Sequence, residues 1–310
     1  MTGPDETRPR AFVFGNAAFD EVFVVRSLPD AGESVHGTVG HAGLGGKGAN
    51  QAIALARCGV RTTLVAALGS DWHGQRVRAA LAREDLDTIL FDRADLPTDR
   101  SIVFAEARSD NVIVTTNACA ASITMSECMP VLDRARAGDT VLLQGNLALG
   151  VTAAICRESR QRGLCLVLNP SPFDPALGDL TPFADALFVN ESEARDLTGL
   201  SRNAAVTALL GTGAGRVVLT MGSEGALLGS QGGVVHVPAT RVDVVDVTGA
   251  GDCFEGVAVG SALLRGTAID ATALAHASRA AAHAIGSVGA STAFPDAARV
   301  AAWFDGRTGA

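Results

Sequence analysis

The residue types best suited to phosphate chemistry lie in one short stretch, from Asp246 to Asp252. Gly249, Ala250 and Gly251 precede the second aspartate, at the predicted start of a helix. Free backbone N–H groups and the positive end of a helix dipole stabilise an anion there, and glycines let a phosphate approach the backbone. Asp252 would lie among these donors, where it can take a proton from an attacking hydroxyl group. The alternative is an N-cap aspartate after a flexible turn.

The flanking sequence predicts the elements that position this stretch. Arg241–Val245 is short and β-branched, which predicts a strand before the turn. After the turn, apolar residues repeat with helical spacing from Phe254 to Leu264, and Gly266 ends the helix. The turn is therefore expected to link a strand to a helix.

A second glycine-rich segment, Gly45–Gln51, opens a predicted helix that runs to Cys58. Gly43–Gly48 also satisfies the G-x-G-x-x-G fingerprint of dinucleotide-binding proteins, with Asp71 at the distance of a ribose-binding acid. The segment lies outside the first βα turn and lacks hydride-transfer residues, which argues against a dehydrogenase. It is not a Walker A loop either, because His41 and Gly48 replace the first glycine and the magnesium-binding Ser or Thr.

Together the two segments resemble the ribokinase, or PfkB-type, carbohydrate kinase family, and the likeness covers nearly the whole chain. Its landmarks, in order, are Gly15, Asp20, Gly46–Asn50, Asn190–Glu193 and Asp246–Asp252. The resemblance implies an α/β fold of three layers, with a doubly wound, mostly parallel sheet and a small β lid. It also implies ATP-dependent phosphorylation of a primary hydroxyl group of a sugar or sugar-like molecule.

The resemblance assigns roles to individual residues. Asp252 is the catalytic base, and the amides of Gly249, Ala250 and Gly251 form an anion hole. The acceptor side of the cleft is assigned to Asp20, Gly46, Lys47, Asn50 and Asn146. The nucleotide side is assigned to Asn190, Thr220, Gly222 and Gly225. Taken without the family, Asp20 is a cap at the lid hinge and Lys47 a solvated surface charge.

The resemblance further implies Mg²⁺ as a cofactor, with Glu193 near it through water. Taken without the family, Asn190 and Glu193 are better explained as a helix capping box. Asp246 and Thr248 match positions that hold a monovalent cation in many members of the family. Ala293 replaces the serine that ribokinases usually have near that cation, so activation by K⁺ is left open.

Two polar positions of the ribokinase pattern are changed in this chain. Ala18 replaces an asparagine and Asn146 replaces a glutamate, both at acceptor-facing positions in the family. Ribose is therefore predicted to be a poor acceptor. A nucleoside kinase of the same family and a non-catalytic sugar-binding regulatory protein are the alternative functions.

Composition restricts the function classes further. The chain has 310 residues, of which 47% are hydrophobic. Its net charge of −8 gives no indication of a basic surface that would bind nucleic acid or an anionic membrane. No apolar run approaches the roughly 18 residues of a membrane span. Six cysteines without a C-x-x-C pair favour reduced thiols and a cytoplasmic protein. The histidines have no metal-ligand spacing, and no Gly-x-Ser-x-Gly hydrolase elbow is present.

Strand-like and helix-like segments alternate along the chain, which predicts one α/β domain over residues 1–310. Predicted strands are 12–14, 63–68, 140–144, 164–168, 186–189 and 217–219. Predicted helices are 48–58, 74–84, 151–162, 202–210, 252–265 and 271–285. Segments 20–40 and 101–116 interrupt the alternation and are interpreted as the β lid, with a hairpin turn at 108–110. The resemblance implies a homodimer that pairs through this lid.

Overall fold

The structure is a computed structural model that describes residues 8–106 and 111–307. Its strands are β1 (Arg10–Phe14), β2 (Ala18–Val25), β3 (Gly37–Gly45), β4 (Arg61–Gly69), β5 (Asp87–Arg93), β6 (Arg100–Glu106), β7 (Asn111–Thr115), β8 (Thr140–Gln144), β9 (Cys165–Asn169), β10 (Ala186–Asn190), β11 (Val217–Thr220), β12 (Ala226–Ser230) and β13 (Gly233–Val237). Its α-helices are α1 (Lys47–Arg57), α2 (Trp72–Leu81), α3 (Ala118–Ala121), α4 (Met125–Leu132), α5 (Leu149–Gln161), α6 (Glu191–Thr198), α7 (Arg202–Gly211), α8 (Ala250–Arg265), α9 (Ala271–Ile285) and α10 (Ala297–Phe304). Two 3₁₀ helices span Pro175–Phe183 and Gly222–Glu224.

The main sheet has nine strands in the order β13-β12-β11-β10-β9-β8-β1-β4-β5. The seven strands from β11 to β5 in that order run parallel, and β12 and β13 extend the sheet antiparallel. The predicted open, mostly parallel sheet is confirmed. Parallel strands place their carboxyl ends along one edge, where ligands bind in such folds.

Helices cover both faces of the main sheet because its parallel strands are apolar on both sides. Val13 of β1 and Leu142 of β8 belong to a core shared with α1, α8 and α9. Their neighbours Phe12, Phe14 and Leu143 belong to a second core shared with α4, α5 and α7. Because successive side chains of a strand point to opposite faces of the sheet, each strand contributes residues to two separate cores.

The sequence-based elements agree with the structure in the parallel part of the sheet, where all six predicted strands and all six predicted helices are present. The strand predicted over Arg241–Val245 is wrong. That segment is irregular, and Val244 and Val245 are 61% and 58% exposed. β-branched residues favour a strand only where a neighbouring strand is available for pairing. Strands β5, β12 and β13, all near the edges of the sheet, were not predicted.

A second sheet of four strands, in the order β3-β2-β6-β7, comes from the two segments interpreted as a lid. β2 pairs antiparallel with β3 and parallel with β6, and β6 pairs antiparallel with β7. The turn predicted at 108–110 lies outside the described residues. No helix within residues 8–106 and 111–307 is long and apolar enough to cross a membrane.

Candidate active site

The first turn of α8 provides unpaired backbone donors. Gly249 caps the helix with φ 73°, and a Cβ there would lie 3.1 Å from the Cβ of Ala290. This left-handed conformation and the limited space both favour glycine. Within residues 8–106 and 111–307, the N–H groups of Gly251 and Asp252 take part in no hydrogen bond, whereas that of Ala250 bonds Val247 O at 3.2 Å. Two N–H groups at a helix start are therefore available to an anion.

The side chain of Asp252 meets the first turn of α1. Asn50 Nδ2 donates to Asp252 Oδ2 at 3.0 Å, and Gln51 Nε2 donates to Asp252 Oδ1 at 3.2 Å. The ammonium group of Lys47 lies 3.9 Å from Asp252 Oδ1. Asp252 is only 7% exposed. The carboxylate is thus oriented by three side chains from a different helix.

Gly46 fixes where α1 begins. It has φ 92°, and a Cβ there would lie 2.9 Å from Ala18 N and 3.0 Å from Asn16 O. Asn16 also ties the loop after β1 to this helix, because its Oδ1 accepts from Gly48 N and its backbone oxygen from Ala49 N. These contacts place the first turn of α1 against the carboxyl end of β1.

A cleft with a volume of about 150 Å³ lies in front of Asp252. Eight residues assigned from the sequence line it: Asp20, Gly46, Lys47, Asn50, Asn146, Thr248, Gly249 and Asp252. Six further lining residues carried no assignment: Asn16, Ser101, Val103, Ile113, Thr115 and Pro172. Asn16 was detectable as a polar residue directly after a buried strand. Ser101 and Val103 belong to β6, and Ile113 and Thr115 belong to β7, so the second sheet forms one wall of the cleft.

Three buried oxygen atoms of the cleft residues have no hydrogen-bond partner within the described ranges. They are Asp20 Oδ1, Asn50 Oδ1 and Asn146 Oδ1. A buried polar atom without a partner costs about 1–3 kcal/mol, so such atoms mark places where a ligand can donate. A ligand with several hydroxyl groups matches three acceptors at once.

Two charged residues of the cleft, Asp20 and Lys47, have shifted pKa values. Burial raises the pKa of Asp20 to about 6; a hydrogen bond with Ser101 opposes this rise and the charge of Asp252 adds to it. Burial lowers the pKa of Lys47, but the negative charges of Asp252, Glu193 and Glu255 outweigh it and hold that pKa above its ordinary value. Lys47 is therefore a cation at neutral pH. Its side chain is 36% exposed to solvent, which also favours the charged form.

Ala18 is fully buried and contributes no surface to the cleft, while Asn146 lines it. Asp246 accepts from Thr248 N of its own turn through Oδ1 and from Gly289 N, in the loop before α10, through Oδ2, both at 2.9 Å. Partial burial of Asp246 acts against these hydrogen bonds, but they still hold its pKa below the ordinary value. Ala293 is buried.

The residues assigned to the nucleotide side lie along the carboxyl edge of the main sheet and do not line the cleft. Asn190 and Glu193 form a reciprocal capping box at α6, with hydrogen bonds of 2.9 and 2.8 Å. Thr220 pairs in register with Asn190 where β10 and β11 end. At Gly225, with φ 95°, a Cβ would lie 2.1 Å from Val237 O, so this turn requires glycine.

Comparisons with known proteins agree with this architecture. The sequence profile of the pfkB family carbohydrate kinases matches residues 8–297. The chain is 30% identical to the ribokinase of Bacillus subtilis over 283 residues, which cover 91% of this chain and 95% of the relative.

Two solved ribokinase structures also match. The structure from Cryptococcus neoformans in complex with ADP has a TM-score of 0.83 at 28% identity, covering 95% of this chain and 99% of that one. The Arabidopsis thaliana structure, complexed with ribose and ATP, has a TM-score of 0.82 at 25% identity, covering 96% and 99%.

Proposed function

This chain belongs to the pfkB family of carbohydrate kinases, and on that basis we propose that it transfers the γ-phosphoryl group of ATP to a primary hydroxyl group of a sugar or sugar-like polyol. The observation that carries the proposal is the meeting of three elements in one cleft. These are the buried carboxylate of Asp252, the unpaired N–H groups of α8 and the unpartnered oxygens of Asp20, Asn50 and Asn146. The first two suit phosphoryl transfer and the third suits a hydroxyl-rich acceptor.

In the proposed reaction, Asp252 takes the proton of the acceptor hydroxyl group as its oxygen forms a bond to the γ-phosphorus. The bond from that phosphorus to the bridging oxygen breaks, and ADP leaves. The N–H groups of Gly251 and Asp252 stabilise the negative charge on the phosphoryl oxygens, and Lys47 adds a positive charge beside the base. Asp20, Asn50 and Asn146 orient the acceptor by accepting from its hydroxyl groups.

The residues fit a magnesium ion that is held mainly by the phosphates and water. Within the described residues, no group of three or more His, Cys, Asp or Glu side chains forms a metal cage, and Mg²⁺ seldom needs one. Glu193 is the carboxylate proposed to lie near this ion through water, and only its Oε2 is engaged in the capping bond. When bound, Mg²⁺ neutralises charge on the transferring phosphates. Asn190, Thr220, Gly222 and Gly225 are proposed to contact the nucleotide.

The second sheet is proposed to act as a lid that excludes water from the transfer. Ser101, Val103, Ile113 and Thr115 already face the acceptor position from this sheet. Its outer residues Val39 and Val114 are 73% and 57% exposed, which supports the proposed pairing of lids in a homodimer. Light scattering at several concentrations tests the dimer. Six unpaired cysteines support a cytoplasmic location.

The acceptor is tested with pentoses, ketohexoses, sugar acids and nucleosides in a coupled assay of ADP release. We expect acceptor-dependent turnover with ribose ranking low, because Asn146 offers a neutral amide and Ala18 no polar group. Ribose with the highest kcat/KM would contradict that ranking. A nucleoside with the highest value would establish the nucleoside kinase alternative. Binding of an acceptor without turnover would establish the non-catalytic regulatory alternative.

A further inference from the structure

A second buried carboxylate lies directly behind the proposed base. Glu255 follows Asp252 by three residues on α8 and is 3% exposed. Gln51, fully buried on α1, donates from the same Nε2 atom to Asp252 Oδ1 and to Glu255 Oε2, both at 3.2 Å. One amide group therefore joins two buried carboxyl groups.

The orientation of the Gln51 amide is fixed from its other side. Gln144, at the carboxyl end of β8, donates from Nε2 to Gln51 Oε1 at 2.6 Å. Gly15 makes room for Gln144, since a Cβ at that position would lie 2.0 Å from Gln144 Oε1. With its oxygen engaged by a donor, Gln51 must direct its NH₂ group toward the two carboxyl groups. The hydrogen bonds from Gln144 through Gln51 to Glu255 therefore all run in one donor-to-acceptor direction.

The charges around Glu255 do not balance. Asp252 on its own helix, Lys47 on α1 and Glu193 on α6 are the charged groups that act on it. Lys47 is the one cation among them, and its ammonium group lies beside Asp252. Two carboxylates that share one donor in a buried site resist ionising together. Burial, with the charges of Asp252 and Glu193, raises the pKa of Glu255 well above its ordinary value, although Lys47 opposes the rise.

We propose that Glu255 and Gln51 are positioning residues for Asp252: Glu255 keeps a proton at neutral pH, and Gln51 holds Asp252 in the orientation that meets the acceptor. The proposal rests on the proposed function, in which Asp252 is the base. A neutral Glu255 leaves the negative charge of the pair on Asp252. When Glu255 ionises at alkaline pH, a second anion competes for the Gln51 amide and adds negative charge next to the phosphoryl transfer.

Glu255→Gln is the direct test, because glutamine reproduces the shape and neutral charge of the protonated side chain. We expect the kcat of the wild-type enzyme to decline on the alkaline side. Glu255→Gln should lose that decline. Glu158→Gln is the matched control, since Glu158 lies on α5, on the opposite face of the main sheet, and pairs with Arg162 just after that helix. Its pH profile should follow that of the wild type.

The melting temperature provides a measurement that does not depend on catalysis. A carboxyl group with a raised folded-state pKa contributes stability that is fully present below its unfolded pKa, roughly 4.3, and is lost as pH rises through the folded value. The melting temperature of the wild type should therefore fall between pH 5 and pH 8 more steeply than that of Glu255→Gln. At pH 8 the variant should be the more stable protein.

The role of Gln51 is tested with Gln51→Met, which keeps the volume and removes the donor. We expect kcat to fall by about tenfold or more, while the KM for ATP stays unchanged. An unchanged alkaline decline in Glu255→Gln, failure of that variant to fold, or a wild-type kcat in Gln51→Met would each overturn the proposal. Full activity of Asp252→Asn would instead overturn the proposed function, while the melting comparison of Glu255→Gln would still report on the proton.

Discussion

Replacement of Asp252 by asparagine tests the assigned base most directly. The substitution keeps the size of the side chain and removes the group that accepts the proton of the acceptor. It leaves the backbone N–H groups of α8 in place, so the anion site for the nucleotide phosphates should persist. General base catalysis contributes roughly 10²–10⁴ in rate, and we expect Asp252→Asn to lower kcat by that factor. This corresponds to about 3–5 kcal/mol in activation free energy.

The effect of the same substitution on stability follows from the contacts. Asp252 accepts from Asn50 at 3.0 Å and from Gln51 at 3.2 Å, whereas an asparagine offers only one oxygen. One lost hydrogen bond costs about 0.5–1.5 kcal/mol. The charge of Asp252 raises the pKa values of Asp20 and Glu255. Removing that charge therefore offsets part of the loss in stability. We expect a melting temperature within about 3 °C of the wild type.

The assay measures initial rates of ADP release with saturating acceptor, together with ATP binding by calorimetry. Asp95→Asn, at an exposed turn between β5 and β6, makes the same chemical change away from the cleft and should retain wild-type rates. A folded Asp252→Asn enzyme with near-normal turnover would refute the assignment of the base. Loss of ATP binding in that variant would instead show that the side chain organises the nucleotide site.

Further perturbations address the acceptor side and the ions. Asn50→Ala should cost roughly 1–3 kcal/mol in acceptor kcat/KM, with a smaller change in the KM for ATP. Loss of ATP binding with acceptor affinity preserved would show that the acceptor and nucleotide sides of the cleft were assigned the wrong way round. Because the pKa of Asp20 is raised to about 6, its stabilising contribution is lost as pH rises through that value, so Asp20→Asn should raise the melting temperature at pH 7.5. In the wild type, acceptor kcat/KM should fall as pH drops below about 6, where Asp20 gains a proton; a flat profile would exclude Asp20 from acceptor binding. EDTA should abolish turnover. A higher kcat in KCl than in choline chloride would support a monovalent-cation site at Asp246 and Thr248, whereas equal kcat values would exclude that site.

Local sequence patterns determined much of the fold. Buried parallel strands carry continuous apolar runs, and glycine is required where φ is positive, as at Gly46 and Gly249. Such features depend on the residue and its near neighbours, so they can be recognised in one sequence. The landmarks that resemble the kinase family identified the family correctly, because they carry a particular spacing of chemical groups.

Features that depend on distant partners were decided only by the tertiary structure. Arg241–Val245 has the composition of a strand, but it pairs with no strand in the part of the chain that the structure describes, and Val245 N bonds Ile285 O instead. β5 is a strand because β4 offers it an edge. The wall of the cleft formed by β6 and β7 depends on the pairing of β2 with β6, which sequence periodicity does not encode.

The arrangement of the proposed base has the same origin. Asn50 and Asp252 are 202 residues apart in the sequence and meet only because α1 and α8 pack against each other. Glycine permits that approach, since a Cβ at Gly256 would lie 2.5 Å from the Cβ of Ala54. The sequence by itself determined the kinase family to which the chain belongs. Packing decided that Gln51 and Glu255 share one buried network with Asp252, because burial and hydrogen bonding belong to pairs of residues and not to either residue alone.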